Sequence, residues 1–145
     1  MGKEYVDMGL PSGTLWASEN EEGYFTFDEA VEKFGNSLPA RWQFCELAEN
    51  CDCVFDIEKR ALICKSKFNG NTIEFPALGC RYDTGGPDSF GDIGFYWSCT
   101  PCSDSRTFVW YFRFHNYDKY GPIHFCARYF GQSVRLCKLE RSGIK

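Results

Sequence analysis

The amino-acid sequence predicts an α+β protein, and three observations carry that reading. Helical periodicity is confined to two stretches between residues 26 and 50, period-two alternation takes over after Cys51, and Gly, Pro, Asn and Asp punctuate the remainder. The plan is two short strands, two helices, then strands and long loops.

In chain order, residues 5–10 read as a short strand, Pro11-Ser12-Gly13 as a turn, and Thr14-Leu15-Trp16-Ala17 as the partner or continuation. Residues 19–23 read as a polar loop. Thr26 and Glu29 then form a capping box, because the Thr hydroxyl accepts from the Glu29 amide while the Glu carboxylate reaches back. Phe27, Ala30, Val31 and Phe34 follow at i, i+3, i+4 and i+7, so all four are expected inward, and Gly35 supplies the stop. A second helix follows Leu38-Pro39 with Phe44, Leu47 and Ala48 inward. Ala40 stands where a capping hydroxyl belongs, which weakens the start by ~1 kcal/mol. Beyond Cys51, residues 53–57 and 61–64 read as a hairpin around Glu58-Lys59-Arg60. Asn69-Gly70 is a turn favouring positive φ, residues 72–77 are a strand, and residues 83–94 are loop.

At 145 residues with no repeat or long linker, the chain fits one domain that needs no staple to bury a core. A net charge of −4, with 16 basic residues in no cluster, argues against a nucleic-acid groove. No apolar run approaches the length that spans a bilayer, so no membrane insertion is expected, and residues 1–18 lack a signal-peptide pattern. Nine cysteines is an odd number at spacings unlike a disulfide framework, which favours small buried hydrophobes over bridges.

Half of the chain's Phe, Tyr and Trp residues lie between Phe95 and Phe130, interleaved with Arg106, Arg113, Arg128, His115 and His124. Alternation in Phe108-Val109-Trp110-Tyr111-Phe112-Arg113-Phe114-His115 puts Trp110, Phe112 and Phe114 on one side and Tyr111, Arg113 and His115 on the other. The first set is expected inward and the second displayed. Ile123-His124-Phe125-Cys126 alternates likewise, Ile123 and Phe125 inward, His124 and Cys126 outward, and residues 116–122 connect the two strands as a hairpin. The alternative is a sheet aromatic on both sides because a second layer covers it.

Several strings resemble the Fibrobacter succinogenes major paralogous domain family, abundant in Bacteroides-type bacteria and their phages. They are Tyr5-Val6-Asp7-Met8-Gly9-Leu10-Pro11-Ser12-Gly13-Thr14-Leu15-Trp16-Ala17, Tyr24-Phe25-Thr26-Phe27-Asp28-Glu29-Ala30, Leu38-Pro39, Asn69-Gly70-Asn71-Thr72-Ile73 and Phe75-Pro76-Ala77 with Gly79. Tyr96-Trp97-Ser98 and Gly131-Gln132-Ser133-Val134-Arg135-Leu136 complete the set. The resemblance spans nearly the whole chain and implies a C-type-lectin-like fold of the formylglycine-generating-enzyme subtype, with two helices packed on short antiparallel sheets and long loops. Cys53, Cys80, Cys99 and Cys137 depart from the family pattern, which disfavours a designed thiol site.

Some relatives of that fold are variable proteins of diversity-generating retroelements, whose C-terminal segment is rewritten at template adenines. Rewritten Asn codons that end in a pyrimidine reach residues such as Phe, Tyr, Ser, Cys, His, Arg, Asp and Gly but not Glu, Lys, Gln, Met or Trp. Here no glutamate falls between Phe75 and Leu139, and within residues 98–130 only Trp110 and Lys119 lie outside the reachable set. A lysine-poor aromatic sheet gives the same skew.

Together these readings point to a non-enzymatic, adhesin-like binding module. Its candidate ligand-binding residues are Cys102, Asp104, Arg106, Phe108, Tyr111, Arg113, His115, Tyr117, His124, Cys126, Arg128 and Tyr129. The expected partner is a protein or glycan on a cell surface, with virion or cell-surface display and no cofactor. The competing class is a thiol-redox or metal-dependent enzyme using Cys99 and Cys102, which have Cys-x-x-Cys spacing but no helix signal behind them. Zinc at Cys45, Cys51, Cys53 and Cys64 lacks the usual ligand gaps. Calcium ligands are conceivable at Asp83, Asp88 and Asp92, although loop acids are more often solvated.

Overall fold

The structure, a computed structural model, describes residues 4–81, 87–103, 107–115 and 123–139. Its elements in order are β1 (Tyr5–Asp7), β2 (Thr14–Ala17), β3 (Glu21–Phe25), α1 (Phe27–Phe34), a 3-10 turn (Gly35–Ser37) and α2 (Arg41–Asn50). Then come β4 (Cys51–Asp56), β5 (Ala61–Ser66), β6 (Thr72–Pro76), β7 (Cys80–Arg81), β8 (Pro87–Asp88), β9 (Ile93–Pro101), β10 (Phe108–His115), β11 (Ile123–Ala127), β12 (Gln132–Val134) and β13 (Cys137–Leu139). The predicted α+β class holds: two helices pack among several short antiparallel or mixed sheets. The residue 19–23 loop is a correction, because Glu21–Phe25 is a strand that β12 pairs across a register shift. Its two glutamates and Gly23 mask the strand pattern. Residues 83–94 are also less loop-like than expected, since β8 and the start of β9 fall inside them.

A mixed five-stranded sheet, ordered β11-β10-β9-β12-β3, forms the middle of the molecule. On one face Tyr96, Phe112 and Phe114 join Trp16, Phe44 and Phe75, which are brought by β2, α2 and the β4-β5-β6 sheet. On the other, Trp97, Val109 and Tyr111 join Phe27 and Ala30 of α1 and Leu38 just past the 3-10 turn. The central sheet is therefore apolar on both sides, the second of the two sequence-based alternatives, and strand residues of opposite parity are both buried.

The capping box forms as expected: Thr26 Oγ1 accepts from the Glu29 amide at 3.2 Å, and Glu29 Oε1 accepts from the Thr26 amide at 2.9 Å. Gly35, at φ +50°, ends α1 in a conformation side chains avoid. Phe27 and Ala30 are buried and Phe34 packs on the same cluster, but Val31 is exposed, so α1 buries a narrower stripe than its periodicity implied. In α2, Phe44 and Leu47 are buried and Ala48 is half-buried. The missing hydroxyl at Ala40 is compensated twice. Gln43 Oε1 accepts from the Ala40 amide at 2.8 Å, and Thr100 Oγ1 on β9 accepts from the Arg41 amide at 2.9 Å. A partner distant in sequence thus satisfies a helix-start donor.

Tyr96-Trp97-Ser98 fastens the central sheet with polar pins. The Tyr96 hydroxyl donates to Pro76 O at 2.6 Å, Trp97 Nε1 to Phe25 O at 2.7 Å, and Ser98 Oγ to Trp110 O at 2.7 Å. Burial raises the Tyr96 hydroxyl above the ordinary tyrosine value. Gly94 sits opposite Phe114 in the β9–β10 register, and the ring covers it so closely that an added Cβ would lie 2.1 Å from Cζ. Gly94→Ala is therefore expected to lower stability by about 1–3 kcal/mol through overpacking. Chemical denaturation checks this, and adding Phe114→Leu to Gly94→Ala should recover part of the loss.

Candidate functional site

The segment singled out by its aromatic content becomes β9, β10 and β11, with β11 at the sheet edge. The register sets Trp110 opposite Phe125, Tyr111 opposite His124, and Phe112 opposite both Ile123 and Tyr96. Phe108, Trp110, Phe112 and Phe114 thus share one face, and Tyr111, Arg113 and His115 the other.

On the first face, burial changes along the strand because α2 covers only part of it. Phe44 stacks on Phe112 at 4.9 Å with ring planes 6° apart. One turn earlier the helix begins, and its first residue, Arg41, places its guanidinium 4.0 Å from the centre of the Trp110 ring. Beyond Arg41 the cover ends. Phe108 is 39% exposed and Phe125 54%, in contact with one another at 5.7 Å, and Phe125 meets Trp110 edge-on at 5.3 Å. Phe125 was expected inward, and this is a correction: its parity places it on the Trp110 face, but β11 is the edge strand of the sheet and the Phe125 ring stands exposed there. Trp110, also expected inward, is half-buried under Arg41.

The opposite face corrects Tyr111. Expected to be displayed, it is 7% exposed, stacked on Phe95 at 5.6 Å and packed against Trp97 and His124. Arg113, His115 and His124 are half-buried, and His124 Nε2 is buried with no hydrogen-bond partner among the described residues. Cys126, expected outward, packs against the α1-side cluster and accepts from Gln132 Nε2 at 2.9 Å; burial pushes its thiol up to about 12. Arg128 is held to α1, with Nη2 2.7 Å from Asp28 Oδ1 and its guanidinium 5.1 Å from the Phe27 ring. Tyr129 is 61% exposed, while half-buried Cys102 donates its amide to Phe108 O at 3.0 Å. Asp104, Arg106 and Tyr117 lie outside the described residues, as does the connection at 116–122.

Of the nine candidate residues that are described, Tyr111 is buried and six are half-buried. Among those described, Phe108 and Tyr129 are exposed, and the aromatic patch around Phe108 includes Trp110, Phe125 and Arg41, which the sequence reading did not select. Parity alone places Trp110 and Phe125 beside Phe108; the missing piece was where α2 starts. Arg41 leaves no sequence signal, since it acts on Trp110 from 69 residues away on the chain.

The thiols give little support to nucleophilic chemistry at Cys99 and Cys102. Cys99 lies within β9, its amide bonded to Pro39 O at 2.8 Å, and burial raises its thiol, the reverse of the shift that activates a nucleophile. No cluster of three or more His, Cys, Asp or Glu suited to a metal ion occurs among the described residues. Asp92 is engaged by Arg60 at 3.2 Å, while Asp83 and the Asp88 side chain lie outside the described residues. Among the described residues, no helix is long and apolar enough to cross a membrane. Comparison of the chain with protein-family models, with curated proteins and with solved structures finds no match.

Proposed function

We propose that this chain is a non-enzymatic ligand-binding module, a C-type-lectin-like scaffold whose 98–130 segment is the diversified face of a retroelement variable protein. The observation that carries the reading is the patch in which exposed Phe108 and Phe125 adjoin half-buried Trp110, with Arg41 stacked over Trp110, at an edge of the central sheet. Rigid aromatic rings beside a guanidinium offer large contact area at low entropy cost, together with donors for acidic or carbonyl groups. Two helices on short sheets fit the lectin-like scaffold implied by the sequence motifs, and the residue skew of the segment fits rewriting at adenines. The partner class is a protein or glycan on a cell surface, met by a virion-borne or cell-surface protein.

Two measurements test this reading. The neighbouring DNA is expected to hold a near-copy of the coding sequence for residues 97–136, differing only at adenines, beside a reverse transcriptase gene; a neighbourhood without one removes the retroelement part. Glycan arrays and whole-cell binding with the purified chain are expected to yield a ligand. Phe108→Ser with Phe125→Ser should weaken binding to it by at least ~100-fold while the melting temperature stays within several degrees. Undiminished binding by the double variant would place the site elsewhere.

A further inference from the structure

In the β4–β5 hairpin, Cys53 and Cys64 are direct cross-strand partners, and their sulfurs lie 3.2 Å apart. Directly opposed residues of an antiparallel pair have Cα atoms about 4.5–5.5 Å apart, within the ~4.4–6.8 Å that a disulfide spans. Side-chain rotation alone can close the remaining gap. The two environments differ. Cys53 is exposed on β4, the outer strand of its three-stranded sheet, whereas Cys64 lies on the central strand, fully buried in the core.

We propose that Cys53 and Cys64 form an oxidisable dithiol, a covalent modification site for low-molecular-weight disulfides such as oxidised glutathione. The Cys53 thiolate attacks one sulfur of the reagent, whose S–S bond breaks; the first thiolate leaves and takes up a proton. Cys64 then attacks Cys53 Sγ, and its proton passes to the second reagent thiolate as that group leaves. Two electrons pass from the protein dithiol to the reagent, which ends as two thiols, and one Cys53–Cys64 bond remains. The order of attack follows from access, since only Cys53 is exposed. Hydrogen bonding by Cys64 also lowers the Cys53 thiol below its ordinary value, while that bond and burial raise Cys64. Cys51 is the nearest competitor on β4; it is buried, and burial pushes its thiol up to about 12.

The test treats the reduced full chain with oxidised glutathione at neutral pH and follows bond formation by quenching and peptide mapping. The Cys53–Cys64 bond is expected first, before any bond involving the other seven cysteines. Cys64→Ser should retain a stable glutathione adduct at Cys53, and Cys53→Ser should lose the fast phase of thiol loss. Earlier pairing by any other cysteine, Cys51 included, would overturn the proposal, as would a folded Cys64→Ser variant with no adduct at Cys53. Should Cys64→Ser unfold, the order of bonds mapped in the unmodified chain decides alone.

Discussion

Replacing Arg135 with methionine is expected to destabilise the protein by about 3 kcal/mol or more, because the guanidinium answers three acceptors at once. Arg135 is 1% exposed; its Nε donates to Asn20 Oδ1 at 2.9 Å, Nη1 to Ala17 O at 3.2 Å, and Nη2 to Glu74 O. The same group lies 4.5 Å from the centre of the Phe75 ring, inside the larger core. Removing it leaves carbonyls of two sheets and the Asn20 amide oxygen without their donor. Asn20 is itself bonded to the Tyr96 hydroxyl, so the loss reaches a second buried polar group. Lysine should rescue little, since one ammonium cannot reproduce the planar fork that meets three acceptors. Equilibrium denaturation of both variants checks this, and a loss below 1 kcal/mol for methionine would mean that water replaces the guanidinium.

Alanine at Tyr111 and alanine at Phe112 are expected to cost similar amounts, about 3–5 kcal/mol each, although the two side chains point to opposite sides of β10. Phe112 lies between Phe44 and Phe75, and Tyr111 among Phe95, Trp97 and His124. If only one face of the strand were core, Tyr111→Ala would cost well under 1 kcal/mol. Denaturant titrations of the two variants measured side by side separate these outcomes.

Tyr111 also shows what a sequence can and cannot convey here. Its strand and its parity are legible in alternation, because side-chain direction in a strand is local. The layer above it is not, because α1 reaches that face through a connection that no period records. Thr26 and Glu29 lie at the other extreme: the whole capping interaction fits within four residues, so sequence and structure agree. Phe125 fails for the converse reason to Tyr111, its direction read correctly and its cover wrongly assumed. At the candidate site, Phe108 was legible as an aromatic in a variable-looking segment, whereas Arg41 contributes from a helix that nothing near Trp110 announces.

The placement of β12 and β13 sets the order in which the chain can fold. β12 lies between β9 and β3, touching β9 in parallel through Ser133 and Tyr96, and β13 pairs with β2. Strands β2 and β3 are near the start of the chain, yet β13 and β12, which pair with them, come more than a hundred residues later. Closing such separations costs loop entropy before any contact returns it, and chains dominated by distant pairings fold slowly. The β4–β5–β6 meander can assemble early from local contacts alone, whereas β3 keeps an open hydrogen-bonding edge until residues 132–134 arrive. During synthesis the edge of β9 that β12 pairs also stays open for the same interval. Substitutions that weaken the β12–β9 or β13–β2 pairing are therefore expected to slow the last step of folding and to lower the folding yield.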